Sequence, residues 1–96
     1  MNRATVLNQL RAHRAAMAQR FGVVDPALFG SFAHDQATDA SDVDILVRFD
    51  GPPDWKRHFG VQTYLEHLLD RPVDMATRTE LRAEIRPYVE RDIVHV

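Results

Sequence analysis

The stretch GSFAHDQATDASDVDILV, Gly30 to Val47, places four aspartates in eighteen residues and then turns abruptly apolar. Two of them, Asp42 and Asp44, lead into VDILVRF, Val43 to Phe49, a run of branched residues bounded by turn signals and the strongest strand in the sequence. A carboxylate entering a core is costly unless something positive compensates it. On a strand, Asp42 and Asp44 point to one face while Val43, Ile45 and Val47 point to the other. Carboxylates two residues apart lie within roughly 7 Å of each other, close enough to share a pair of metal ions about 4 Å apart. Unscreened, two such charges about 4 Å apart repel by about 4 kcal/mol at an effective dielectric of about 20, and a cation removes that repulsion. Oxygen-only ligands of this kind suit magnesium or manganese. Taken alone, SDVD also reads as a turn cap, Asp42, followed by a solvated strand-end carboxylate, Asp44.

Gly30-Ser31 sharpens the choice. It follows VVDPALFG, a strand in which Pro26 suggests an edge position or a bulge. SFAHDQ then reads as a short helix with Ser31 near its N-cap. A Gly-Ser pair at a helix start offers backbone N–H groups and a hydroxyl to a phosphate, and the glycine lets it approach the backbone closely. By itself the pair reads as an ordinary turn with a serine cap. A phosphate site and a metal site on adjacent strand ends are far more specific together than either is alone. RPVDMAT, Arg71 to Thr77, supplies another strand with Val73 and Met75 on one face and Asp74 on the other, so Asp74 is the natural third ligand.

The rest of the chain frames this centre. Leu7, Leu10, Met17 and Phe21 fall at helical spacing from about Ala4 to Phe21, interrupted by Arg14, and Gly22 sits where a C-cap belongs. After the breaker DGPPD comes a helix over about Asp54 to Leu69, with Trp55, Phe59, Leu65, Leu68 and Leu69 on a broad apolar face. There Trp55 and Phe59 are expected to pack into the core rather than to stack on a base. Thr77 and Glu80 fit a capping box, Pro87 restarts a helix as a first-turn proline, and DIVHV closes as a short strand. The order α-β-α-β-α-β-α predicts an α/β (α+β) sandwich around a small mixed sheet, a single domain over 1–96.

Composition agrees with one small globular domain around a single modest core and narrows the partners. The chain is 45% apolar and 27% charged, with net charge −2. With a pI near 6.2, this argues against nonspecific nucleic-acid binding, which needs a basic surface. With no cysteine, thiolate nucleophiles, disulfides and Cys-ligated zinc are excluded. No signal peptide or membrane span is evident, so a cytoplasmic protein is expected. His13, His58, His67 and His95 lack metal-ligand spacing and read as solvated or satisfied polar residues; His34 alone falls near the proposed site. Arg78, Arg82, Arg86 and Arg91 form a basic run read as a solvated face, with partner contact as the minor alternative.

GS, ten residues, then D-x-D before an apolar strand, and later an Asp on another strand, resembles the polymerase β-type nucleotidyltransferase signature. The small size and the ending VDMATRTELRAEIRPYVERDIVHV resemble the minimal nucleotidyltransferases, and the likeness covers essentially the whole chain. It implies the polymerase β-like nucleotidyltransferase fold, with Gly30 and Ser31 holding a triphosphate. It also implies that Asp42, Asp44 and Asp74 are the catalytic residues and ligands of two Mg2+ ions, with ATP as substrate. Where many members carry Arg-Gly after the GSxA segment, His34 and Asp35 stand here. The resemblance further implies an antitoxin that transfers AMP to a tyrosine hydroxyl of a HEPN-type ribonuclease toxin, in a hetero-oligomer with it. Alternatives are a non-catalytic antitoxin that occludes its partner and a small-molecule, antibiotic-type nucleotidyltransferase subunit.

Overall fold

The computed structural model describes residues 1–52, 54–77, 83–84 and 86–96. Glu80 of the expected capping pair, and Arg78 and Arg82 of the basic run, lie outside the described residues. Helix α1, Arg3–Phe21, starts from Asn2, whose side chain accepts from the Thr5 N–H at 2.9 Å. It ends at Gly22, whose φ of 70° is the left-handed geometry of a helix stop. Its buried line is Val6, Leu7, Leu10 and Met17, so the expected stripe gains Val6, while Phe21 is half-buried. Arg14 points outward and donates to the Val96 carbonyl at 3.0 Å.

Strand β1, Val23–Phe29, carries a register irregularity between Val24 and Ala27, where Asp25 adopts a φ of 49°. Pro26 therefore marks a bulge and not an edge, because β1 lies inside the sheet. A four-residue helix α2, Gly30–Ala33, follows, and then β2, Val43–Phe49. Helix α3, Trp55–Leu69, is capped by Asp54, which accepts from the Arg57 N–H at 2.8 Å. Strand β3, Val73–Thr77, helix α4, Arg86–Asp92, with Pro87 in its first turn, and the two-residue β4, Val94–His95, complete the order. The sheet runs β3-β2-β1-β4, with β2 and β3 parallel and β1 antiparallel to both β2 and β4. This is the expected mixed sheet flanked by helices.

Alternation along β2 decides what each sheet face does. Val43, Ile45 and Val47 are buried with Val6, Leu10 and Met17 of α1 and Val61, Leu65 and Leu69 of α3. Asp44 and Arg48 face the other way, with Leu46 buried between them. The expectation for Trp55 and Phe59 fails: they are 73% and 63% exposed. At about 100° per residue, Phe59 lies about 200° around the helix from Val61, so the ridge shared by Trp55 and Phe59 turns away from the one that meets the sheet. None of the helices among the described residues is long and apolar enough to cross a membrane.

Candidate active site

The end of β1 and the start of β2 meet because Phe29 and Asp44 are cross-strand partners. Gly30 comes next and has a φ of 71°, a conformation that side-chain-bearing residues resist. A Cβ at Gly30 would stand 2.8 Å from Asp44 Cγ and would overlap its carboxylate oxygen. The glycine is thus required twice: by its backbone angle, and because Asp44 occupies the space a side chain would need. Ser31 does not cap α2, contrary to expectation. The cap is Phe29 in extended geometry, with no side-chain bond, and Ser31 is already inside the first turn. Its hydroxyl is therefore not committed to the cap, and the first N–H groups of a helix have no intrahelical acceptors.

Asp44 and Asp74 are direct partners across the parallel β2–β3 pair, so both side chains stand on the sheet face opposite α1 and α3. The expectation that Asp42 shares a strand face with Asp44 is not met: Asp42 is exposed, in the segment one residue before β2. The Asp44 carboxyl is pushed up from 3.8 to about 6, first by burial, then by the negative charges of Asp74 and Asp42, and by a hydrogen bond with Asp74. Among the described residues no three His, Asp or Glu side chains close into a ready-made metal cage.

The donor chemistry fits a hard divalent cation. The groups are oxygen-only, and burial and mutual repulsion raise the Asp44 carboxyl to about 6, an arrangement that positive charge would relieve. Asp42, Asp44 and Asp74 are the residues that would hold it.

Around this centre, His34 and Asp35 are turned to other partners. His34 Nε2 lies 3.6 Å from Asp92 Oδ2 of α4, and Asp35 Oδ1 accepts from the Arg3 N–H at the start of α1 at 3.4 Å. A cleft of about 210 Å³, lined by Phe29, Gly30, His34, Tyr88, Val89 and Asp92, opens beside Gly30. His13, by contrast, is a satisfied polar residue, its Nδ1 2.6 Å from the Tyr64 hydroxyl. Sequence reasoning missed two features: α4 as a wall of the cleft, and Arg71, which reaches the loop before Asp42. An Arg before a strand carries no local signal that distinguishes a strut from a solvated charge.

The chain matches the family model "Nucleotidyltransferase domain" over residues 10–95. It is 38% identical over 87 residues to the protein adenylyltransferase MntA of Thermococcus cleftensis, covering 91% of this chain and 88% of that protein. A solved structure described as a candidate minimal nucleotidyltransferase superimposes with a TM-score of 0.80 at 32% identity, covering 100% of this chain and 97% of the other. A more distant fold likeness is to a complex of a tri-AMPylated Shewanella oneidensis HEPN toxin with an MNT antitoxin. There the TM-score is 0.64 at 19% identity, with 93% of this chain and 68% of the other covered. By sequence and by fold, this chain belongs to the nucleotidyltransferase domain family and is one of its minimal, MntA-related members.

Proposed function

We propose that the protein transfers AMP from ATP to a tyrosine hydroxyl of a HEPN-type toxin and so acts as its antitoxin. The observation that carries this reading is the Asp44–Asp74 pair, in register across β2 and β3, with Asp42 adding its charge and Gly30 pressed against Asp44. The similarity to an MntA adenylyltransferase supports the chemistry, and the fold likeness to the HEPN–MNT complex supports the class of partner.

In this reading the N–H groups of Gly30 and Ser31, with the Ser31 hydroxyl, hold the triphosphate. Asp42, Asp44 and Asp74 hold two magnesium ions, which when bound supply positive charge to the acceptor oxygen and to the departing pyrophosphate. The tyrosine oxygen attacks the α-phosphorus as the bond to the β-phosphate oxygen breaks. Asp74 takes the phenolic proton, because β3 is an edge strand and so lies on the side from which an acceptor can arrive. Asp44, interior to both neighbours, stays between the two halves of the site.

The experiment is transfer of label from ATP marked at the α-phosphate to a co-purified HEPN partner, compared between the parent and Asp44→Asn. Label on the partner with the parent only is expected. Equal labelling by both would refute the assignment of Asp44.

A further inference from the structure

Arg71 lies between Asp70, the left-handed stop of α3, and Pro72, just before the strand that carries Asp74. Its guanidinium reaches back across the molecule. Nη1 faces three backbone carbonyls of one loop, those of Thr38 at 3.5 Å, Asp39 at 3.3 Å and Ser41 at 3.3 Å. Its Cζ stands 5.4 Å from the ring centroid of Phe32, the α2 residue that follows Ser31. One side chain thus touches the loop that delivers Asp42 and the segment that carries Gly30 and Ser31, and it leaves the backbone three residues before Asp74.

The loop has its own turn bonds. Ser41 Oγ accepts from the Thr38 N–H at 2.9 Å, Thr38 Oγ1 accepts from the Ala40 N–H at 3.3 Å, and the Ser41 N–H closes a turn on the Thr38 carbonyl at 3.0 Å. These bonds shape the turn but do not tie it to the sheet. Ala37 packs on the core at the start of the loop, the Val43 N–H donates to the Pro72 carbonyl at 3.0 Å at its end, and Arg71 ties the stretch between them. A planar guanidinium that donates at its edge while lying over an aromatic ring does what an ammonium cannot.

We propose that Arg71 is a positioning residue: its guanidinium, clasped by the carbonyls of Thr38, Asp39 and Ser41 and laid on Phe32, sets Asp42 in place beside Asp44 and Asp74. This rests on the reading of those three aspartates as the nucleotidyl-transfer site. The contacts that carry this role are with the loop carbonyls and Phe32. It acts by fixing the one carboxylate of the set that no strand holds, so that less of the loop has to be ordered when a divalent ion binds.

The test uses the full chain with Arg71→Ala and Arg71→Lys, and two readouts that do not depend on activity. In NMR relaxation, the backbone amides of residues 38–42 are expected to be as rigid as the strands in the parent and mobile in Arg71→Ala. Titration with Mn2+ alone is expected to show at least tenfold weaker binding for Arg71→Ala. Arg71→Lys should recover only part of the loss, and it also serves should the alanine variant not fold. Melting in EDTA separates the roles, because a purely structural residue would lower the melting temperature and leave Mn2+ affinity unchanged in the folded protein. Equal loop rigidity in parent and variants would overturn the proposal, as would Mn2+ affinity within twofold of the parent. If the parent binds no Mn2+, the underlying site assignment fails, and with it the purpose assigned to Arg71, while loop relaxation still reports whether the strut exists.

Discussion

Asp44 and Asp74 are register partners on parallel strands, and their proximity, with burial and the charge of Asp42, pushes the Asp44 carboxyl up to about 6. Two carboxyl groups so placed are poor neighbours once both are ionised, unless a cation joins them.

That shift has a definite sign for stability. The folded value, about 6, exceeds the ordinary 3.8, so the folded state binds the proton more tightly than the unfolded chain. The contribution is fully present below pH 3.8 and is lost as pH rises through about 6. In EDTA, the parent should therefore lose stability relative to Asp44→Asn between those values, and the variant should melt higher at pH 8. Magnesium at pH 8 should raise the melting temperature of the parent and not of the variant. Parallel melting curves across the range would contradict the assignment.

Two glycines with nearly equal φ should behave differently. Gly22→Ala places a methyl against Asp50 and Arg57 at the end of α1, and Gly30→Ala places one against Asp44. Both should destabilise by about 1–3 kcal/mol through left-handed strain alone. Only Gly30→Ala should also reduce binding of a non-hydrolysable ATP analogue in the protein that remains folded, as measured by calorimetry.

Ser31→Ala separates capping from phosphate contact. Because Phe29 holds the cap position and Ser31 caps nothing, stability should change by less than about 0.5 kcal/mol. Affinity for the ATP analogue should nevertheless fall. A loss of about 1 kcal/mol in stability with unchanged affinity would mark Ser31 as a cap after all.

Trp55 is the only tryptophan and is 73% exposed. Its fluorescence should resemble that of free tryptophan and be quenched readily by acrylamide, and Trp55→Ala should barely shift the melting temperature. A blue-shifted, protected emission in the isolated protein would contradict the orientation of α3.

What was legible in the sequence was whatever is encoded within one element. Alternation put Asp44 and Asp74 on the face away from Val43 and Val73, and the β2 and β3 register then made them neighbours. Pro26 read as an edge or a bulge because a proline cannot donate within an interior strand, and only the strand order decided for the bulge. What escaped depends on contacts between elements. The exposure of Trp55 and Phe59 follows from which side of α3 meets the sheet, and an apolar stripe broad enough to wrap the helix does not declare that. Ser31 missed the cap by two positions because Gly30 takes a left-handed angle that lets Phe29 end the strand and begin the helix. Arg71 escaped because its partners are carbonyls some thirty residues away.

The most direct measurement is the intact mass of a HEPN-type partner after incubation with the protein, ATP and magnesium. The parent should add the mass of one or more AMP groups on tyrosine and silence the partner's ribonuclease activity. The Asp42→Asn, Asp44→Asn double variant should do neither. If that double variant silences the partner as fully as the parent and no mass is added by either, the protein works by occlusion, and the catalytic account is wrong.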